Sequence, residues 1–295
     1  MPSLDILPQL IINGLIAGSI YALAASGFSL VYYVLKFSNF AQGAIIGISA
    51  YLFFLFFSLN GLNYVLAAML TFVLSILIAL LINSVVYKQL RKRKATNVVL
   101  MISSLALLIF SSSLILAVFG SSTKTIPIKN NITFDFGFFT ITALQIAIIT
   151  SATALFLFIW LILKKTRLGK AMRALADNKD IAQVVGINPE KIYSYTFVIA
   201  SFLGSFAGIL IGLEQNLYPQ MGVPIIVKGF ISAVVGGISS VPGSIVGGLF
   251  IGLVENLGIW FLPSGYKDAI SFTILLVFLL LKPKGILGVK MRDDS

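Results

Sequence analysis

Long apolar stretches alternate with short polar ones along the whole chain. A bilayer core about 30 Å thick is crossed by a helix of about 20 residues, and only helices or closed barrels satisfy their backbone in lipid. The stretches lack the strict two-residue alternation of barrel strands. We predict an all-α polytopic transmembrane helical bundle, with spans at Leu7–Val34, Phe40–Leu59, Tyr64–Tyr87, Asn97–Phe119, Phe138–Leu163, Ile192–Leu213, Pro224–Ile238, Ser244–Phe261 and Ala269–Leu281.

Two of the predicted spans are short, Gly-rich and interrupted. Pro224–Ile238 and Ser244–Phe261 meet at the turn Ser239–Gly243. Counting both as crossings gives nine spans, whereas a first segment that only dips into the membrane leaves eight; we choose nine. Interrupted Gly-rich segments of this kind are typical of transporters. We treat residues 1–295 as a single transmembrane domain.

Lysine and arginine cluster in three polar segments. Residues 88–94, 164–191 and 282–292 together hold 16 of the 21 basic residues. Short loops rich in Lys and Arg stay on the cytoplasmic side of a membrane. The alternation of spans then predicts an external N-terminus, an external loop at Gly120–Gly137 and a cytoplasmic C-terminus.

The composition identifies lipid as the main solvent of the side chains. Hydrophobic residues make up 58% of the 295 residues, against about 45–50% in soluble domains. The net charge of +11 does not indicate nucleic acid, because the basic residues lie between apolar runs and not on one polar face. The absence of Cys and His excludes Ser-His triads and Cys/His metal sites. We therefore expect no catalytic residue, no metal and no cofactor.

The longest polar segment, residues 164–191, is predicted to present a helix outside the membrane. Gly186 is suited to end that helix, and Asn188-Pro189 to start the next one. A partner-docking helix and a solvated loop with a basic fringe both fit this pattern. We favour docking, because the apolar positions need a surface to cover. The helix is predicted over Leu168–Val185, with apolar positions at Ala171, Met172, Leu175, Ile181 and Val184.

A few polar side chains lie within or beside the spans. An unpaired amide in hydrocarbon costs about 2–7 kcal/mol, so Asn39 and Gln42 either cap broken helix ends or line a path. Glu255 is the only acidic residue deep in an apolar run, which is few for a proton relay. Small residues such as Ser26 also let helices pack closely. The candidates for a translocation path are Tyr21, Ser26, Asn39, Gln42, Glu255 and Asn256.

Several separated motifs resemble the Liv-type permease family, the membrane subunits of ABC importers for branched-chain amino acids. The family usually has the motif Asn-Phe-Ala-His-Gly, and this chain has Gln42 at the position of the His. A glutamine side chain still forms hydrogen bonds but does not titrate near neutral pH. The match covers nearly the whole chain. Its motifs are Gly18–Tyr32, Phe37–Gly43, Gly169–Ala174 with Gly186-Ile187-Asn188, Val235–Ser244 and Lys282–Gly288.

The resemblance implies the rest of an ABC import machine. Such permeases lie in the bacterial inner membrane and pair with a second homologous permease. They dock on two ATPase subunits and receive substrate from an external solute-binding protein. ATP would be hydrolysed by the partners, because this chain has no Gly-x-x-x-x-Gly-Lys phosphate loop. Urea or amides as solutes, a transporter working alone and a membrane scaffold protein stay open as alternatives. The resemblance places the ATPase contact at Arg173, Ala174, Asp177, Gly186 and Ile187.

Overall fold

The computed structural model describes residues 6–127 and 132–288. Within these residues, eight helices are long and apolar enough to cross a membrane, and a ninth apolar helix of 15 residues is shorter. The predicted all-α polytopic bundle is confirmed. Its helices are α1 (Leu7–Leu35), α2 (Ala41–Phe54), α3 (Tyr64–Ile82), α4 (Lys88–Lys92), α5 (Asn97–Phe119), α6 (Ala143–Lys165), α7 (Arg167–Asp177), α8 (Lys179–Val184), α9 (Pro189–Glu214), α10 (Gly222–Gly236), α11 (Val241–Gly258) and α12 (Lys267–Leu281).

Two of the spans contain a wider helical turn. A π-turn at Leu55–Leu59 extends α2, and another at Asn83–Tyr87 joins α3 to α4, so that one continuous span runs over Tyr64–Lys92. Such π-turns inside helices often lie at functional sites. A 3₁₀ turn at Ser264–Tyr266 precedes α12.

Helix α1 forms the centre of the bundle and is buried along most of its length. Its closest neighbour is α11, and glycines make that approach possible. A Cβ built on Gly252 would lie 2.3 Å from the Cα of Gly18, and one on Gly248 would lie 2.4 Å from the Cα of Ala22. Helices in lipid associate by this kind of close backbone packing. By contrast, few residues of α6 and α12 are buried.

One end of the bundle carries a short antiparallel hairpin of strands β1 (Thr133–Asp135) and β2 (Thr140–Thr142). We call it the hairpin end. Gln9 at the start of α1 accepts a hydrogen bond from the amide of Thr140 at 2.9 Å. The fifth predicted span, Phe138–Leu163, differs from the structure: Phe138 is not in a helix, and α6 begins at Ala143. The cause is a capping box, in which the Thr142 hydroxyl and the Gln145 side chain satisfy each other's backbone amides.

The opposite end gathers the described basic segments, and we call it the basic end. Arg91 of α4 pairs with Glu190 at the start of α9 at 2.9 Å. Trp160, Arg173 and Pro242 line one cavity, which places the α10–α11 turn beside the segment after α6. The chain after α12 packs here too, with hydrogen bonds from the amides of Ile286 and Leu287 to carbonyls of α10. Lys290 and Arg292 lie outside the described residues.

The short helix α10 connects the two ends. The chain before it pairs with the loop after α5 at the hairpin end, where the Leu217 amide donates to the Lys124 carbonyl at 2.8 Å. Its last residue, Gly236, accepts a hydrogen bond from the Leu287 amide at the basic end. Its 15 residues span only about 22 Å. In the described part of the chain, nine helices thus run between the two ends.

The segment between α6 and α9 is two helices and not the single predicted helix Leu168–Val185. The break lies at Asn178, whose side chain accepts hydrogen bonds from the amides of Asp180 and Ile181 and so starts α8. The predicted stop and start are confirmed. Gly186 has a φ of +85°, which a glycine adopts without strain, and Asn188 caps α9 ahead of Pro189.

Candidate functional site

Four helices bring a cluster of polar side chains together near the hairpin end. Glu255 of α11 is fully buried, and its carboxylate lies 2.9 Å from the Lys228 Nζ of α10. The same carboxylate accepts a hydrogen bond from the Tyr21 hydroxyl of α1 at 3.1 Å and one from Ser271 of α12. Lys228 also donates to the Tyr21 hydroxyl at 3.2 Å. We call Tyr21, Lys228, Glu255, Asp268 and Ser271 the ionic cluster.

Lys228 lies between two carboxylates of different exposure. Asp268 in the first turn of α12 lies 3.0 Å from Lys228 Nζ, and 68% of its side chain is exposed, against none of Glu255. An unpaired buried charge is costly, and the contacts with Glu255 and Tyr21 hold the Lys228 ammonium in place. The exposed Asp268 is the weaker partner of the two, since water competes for it.

The ionic cluster borders a cavity of about 210 Å³ between α10 and α12. Lys228, Asp268 and Ser271 supply its polar wall. The remaining wall is apolar and consists of Val223, Pro224, Val227, Ile231 and Phe272. The structure thus combines one cation, one anion and an apolar surface in one small space.

Sequence reasoning found part of this cluster. Tyr21 and Glu255 are both predicted path candidates, and the structure places them in contact. Lys228 was not among the candidates, although a lysine inside an apolar helix is a usable signal by itself. Asn256 stands apart from Glu255: its amide donates to the Gly252 carbonyl at 2.9 Å, and its oxygen accepts from Lys267 at 3.0 Å.

The other path candidates lie elsewhere in the bundle. The Gln42 amide is buried between α1 and α9 and donates to the Ala200 carbonyl at 2.6 Å. The absence of side chains at Gly27 and Gly204 makes room for it, since a Cβ there would lie 2.6 and 2.4 Å from its nitrogen. Ser26 donates to the Leu23 carbonyl of its own helix. The contacts of these two side chains are those of helix packing.

Asn39 leads into a polar chain toward the basic end. Its side-chain oxygen accepts a hydrogen bond from the buried hydroxyl of Tyr87 at 2.7 Å. One turn further along, Arg91 donates to Asn83 at 3.1 Å and forms a two-pronged ion pair with Glu190. Such paired geometry is among the stronger polar contacts. It fixes α4 against the start of α9, directly after the segment that joins α6 and α9.

The segment 166–188 presents different side chains to the protein and to solvent. Met172 and Leu175 of α7 are buried in the protein's own core, so the predicted apolar positions do not form one docking face. Ile181, Val184 and Val185 are 63%, 87% and 67% exposed. Exposed apolar side chains of this size, placed together, indicate an interaction surface. We call Ile181, Val184 and Val185 the α8 patch.

The five predicted contact residues lie on α7 and in the turn between α8 and α9. Arg173 is half-buried, and its guanidinium donates to the Leu163 carbonyl, which fastens α7 to the end of α6. Asp177 and Gly186 are exposed, whereas Ala174 and Ile187 are half-buried and pack on the core. Burial lowers the pKa of Lys36, and the Asp177 carboxylate acts in the opposite direction, which shows that α7 also lies beside the end of α1.

The interrupted helices, the buried ionic cluster and the exposed segment at the basic end define a multi-pass membrane protein of the transport type. A family model described as "Branched-chain amino acid transport system / permease component" matches residues 10–279. The chain belongs to this family, and it is the membrane-spanning permease subunit of an ABC importer.

Similar proteins cover nearly the full length. The chain is 34% identical to the high-affinity branched-chain amino acid transport system permease protein BraD of Pseudomonas aeruginosa, over 98% of each chain. It is 32% identical to LivH of Escherichia coli K12, over 95% of each chain. A solved structure of PsaBC from Streptococcus pneumoniae, in complex with Fab, superposes with a TM-score of 0.52, covering 92% of this chain and 91% of that one, at 14% identity. That last likeness concerns the fold alone.

Proposed function

We propose that this permease subunit moves branched-chain amino acids into the cell. The observation that carries the proposal is the full-length similarity to permease proteins named for branched-chain amino acid transport, in bacteria and in the archaeon Methanocaldococcus jannaschii. A ribose import permease of Haemophilus influenzae is also similar, but over only 41% of this chain. The apolar wall of the cavity beside Lys228 suits a solute with an aliphatic side chain.

The proposal includes partner chains that supply energy and substrate. Two ATPase subunits hydrolyse the ATP, a second homologous permease completes the membrane unit, and an external solute-binding protein delivers the amino acid. This chain then has no catalytic activity of its own. The exposed α8 patch supports the ATPase contact, because apolar side chains outside the membrane gain stability when a partner covers them.

We assign the ATPase contact to the segment that includes Arg173, Ala174, Asp177, Gly186 and Ile187. Asp177, Gly186 and the α8 patch are exposed, and in this proposal they form the surface that the ATPase contacts. Arg173 acts by position, since its bond to the Leu163 carbonyl ties α7 to the transmembrane helix α6. A movement of the ATPase against this segment is thereby transmitted to the transmembrane helices, as alternating access requires.

The proposed orientation places the basic end in the cytoplasm of a bacterial cell and the hairpin end outside its inner membrane. Lys88, Arg91, Lys164 and Arg173 belong to helices that meet at the basic end. Positively charged loops are retained on the cytoplasmic side. The N-terminus is then external and the C-terminus cytoplasmic.

Co-purification and uptake test this function. The chain is expressed with its neighbouring genes, extracted in mild detergent, and its partners are identified by mass spectrometry. The reconstituted complex with its binding protein is then assayed for leucine uptake with and without internal ATP. ATP-dependent leucine uptake is expected. Uptake of urea or amides in place of leucine, or uptake by the lone chain without ATP, would overturn the proposal.

A further inference from the structure

The cavity beside the ionic cluster has the chemical features that an α-amino acid requires. An α-amino acid carries one carboxylate, one ammonium group and, in the branched-chain case, an aliphatic side chain. The cavity offers the Lys228 ammonium, the Asp268 carboxylate and an apolar wall from α10 and α12. Its volume of about 210 Å³ is several times the roughly 30 Å³ that one water molecule occupies in the liquid.

We propose that this cavity is a transit site in which Lys228 binds the carboxylate and Asp268 binds the ammonium group of the transported amino acid. This inference rests on the proposed function and names the residues that recognise its substrate. The aliphatic side chain lies against Val227 and Phe272, which line the same cavity. Binding exchanges one ion pair, Lys228–Asp268, for two pairs with the ligand.

The geometry allows that exchange without leaving a charge unpaired. Lys228 keeps its 2.9 Å contact with Glu255 when Asp268 turns to the ligand. Asp268 is mostly exposed, so its carboxylate is free to reorient at little cost. Glu255 and Tyr21 do not line the cavity, and the Ser271 hydroxyl at its wall donates to Glu255. They are positioning residues that hold the Lys228 ammonium at the cavity wall.

The location suits a site of entry from outside. Asp268 lies in the first turn of α12, and α12 begins where α11 ends, at the hairpin end of the bundle. Because one ion pair is broken for every two formed, net affinity is modest. A transport path needs binding that is favourable enough for entry and weak enough for release.

Cysteine protection is a sharp test, because the natural chain contains no cysteine. Val227→Cys places a thiol on the cavity wall of the assembled transporter in lipid nanodiscs, without the external binding protein. A water-soluble thiol reagent is applied with leucine, with isovalerate, which lacks the ammonium group, or with isoamylamine, which lacks the carboxylate. A cysteine at Ser122, exposed in the loop after α5, serves as the control.

We expect leucine to protect Val227→Cys, with about tenfold slower modification at ten times the half-protecting concentration, since only about a tenth of the sites then stay free. Neither analogue protects at that concentration, and Ser122→Cys is modified at one rate throughout. Protection by either analogue equal to that by leucine, or equal slowing at Ser122→Cys, would overturn the site.

Two further substitutions, each added to Val227→Cys, distinguish loss of binding from loss of folding. Asp268→Asn, at an exposed position, removes the ammonium partner, and Lys228→Met removes the carboxylate partner. In the Val227→Cys background each is expected to abolish protection by leucine while the unprotected modification rate stays the same. Retained protection in Asp268→Asn contradicts the proposal even if Lys228→Met fails to assemble.

Leucine uptake by the wild-type complex is measured in parallel. Absence of uptake would overturn the proposed function, whereas normal uptake without protection of Val227→Cys would overturn only this site.

Discussion

At the scale of single residues, the ionic cluster shows how a charge is kept inside an apolar bundle. Lys228 alone in hydrocarbon would be strongly unfavourable. Glu255, with none of its side chain exposed, compensates it at 2.9 Å. Two hydroxyls, from Tyr21 and Ser271, satisfy the remaining acceptor capacity of that carboxylate. Fully satisfied buried networks specify one arrangement of the helices that carry them.

Loss of the buried carboxylate should destabilise the protein more than loss of the exposed one. Glu255→Gln removes the fully buried partner of Lys228, a change that costs about 3–5 kcal/mol when the remaining charge stays unpaired. Asp268 limits the loss toward the lower end of that range. The measurement is the thermal midpoint of the detergent-solubilised complex. Asp268→Asn is the matched control and should leave the midpoint nearly unchanged; equal losses in both variants would contradict this reading of the cluster.

At the scale of helices, glycines determine how closely α1 and α11 approach. A Cβ on Gly252 would lie 2.3 Å from the Cα of Gly18, and one on Gly14 would lie 2.9 Å from the Cα of Leu253. These neighbours are backbone atoms, so they cannot move aside as the end of a side chain can. The central pair of the bundle therefore depends on small residues at matching positions of both helices.

A large side chain at Gly252 should separate α1 from α11. Gly252→Leu overpacks the contact, and overpacking a close-packed interior costs about 1–3 kcal/mol or more. The expected result is a sharp fall in monodisperse protein on gel filtration in mild detergent. Gly265→Leu, where no atom lies within 4 Å of the added Cβ, is the control and should behave as wild type. A normal elution profile for Gly252→Leu would argue against the close crossing.

The α8 patch leads to a second prediction for an element. Val184 is 87% exposed, so Val184→Ser removes apolar contact area from a partner without opening a cavity in the bundle. We expect normal membrane insertion and clearly weaker co-purification of the ATPase. Phe138→Ser is the same kind of change at a 74% exposed site of the hairpin and should not affect ATPase association. Unchanged association in Val184→Ser would move the docking surface away from α8.

At the scale of the whole molecule, the two ends of the bundle differ in charge and in architecture. The basic end holds α4, α7, α8 and the α10–α11 turn, whereas the hairpin end holds the β-hairpin and the first turn of α12. Nine helices alternate between these ends within the described residues. Because successive helices run in opposite directions, the membrane side of one turn determines the membrane side of every other turn.

Single cysteines can measure the orientation directly. Ser240→Cys, in the α10–α11 turn, should react with an impermeant reagent only when the cytoplasmic face is accessible. Ser122→Cys, in the loop after α5, should react only from outside. The comparison is made in intact cells and in inverted vesicles. Labelling of Ser240→Cys from outside would show that α10 fails to cross, and the count would fall to eight spans.

Much of the fold follows from the sequence alone, because lipid imposes one simple rule. A run of apolar residues in a membrane has to close its own backbone hydrogen bonds, so its length and polarity nearly determine a helix. The signals that end α8 at Gly186 and start α9 at Asn188 are also local in sequence, and both predictions are confirmed. The family also could be identified, since its motifs are contiguous in the chain.

The tertiary structure decided what depends on distant residues or on competing local bonds. The predicted helix Leu168–Val185 is two helices in the structure, because the Asn178 side chain caps a new helix. Met172 is buried in the core, whereas Val184 is exposed. Gln42 became a packing residue because Gly27 and Gly204 left room for it. Lys228, Glu255 and Asp268 belong to three different helices, so no pattern along the chain could show that they meet in one ionic cluster.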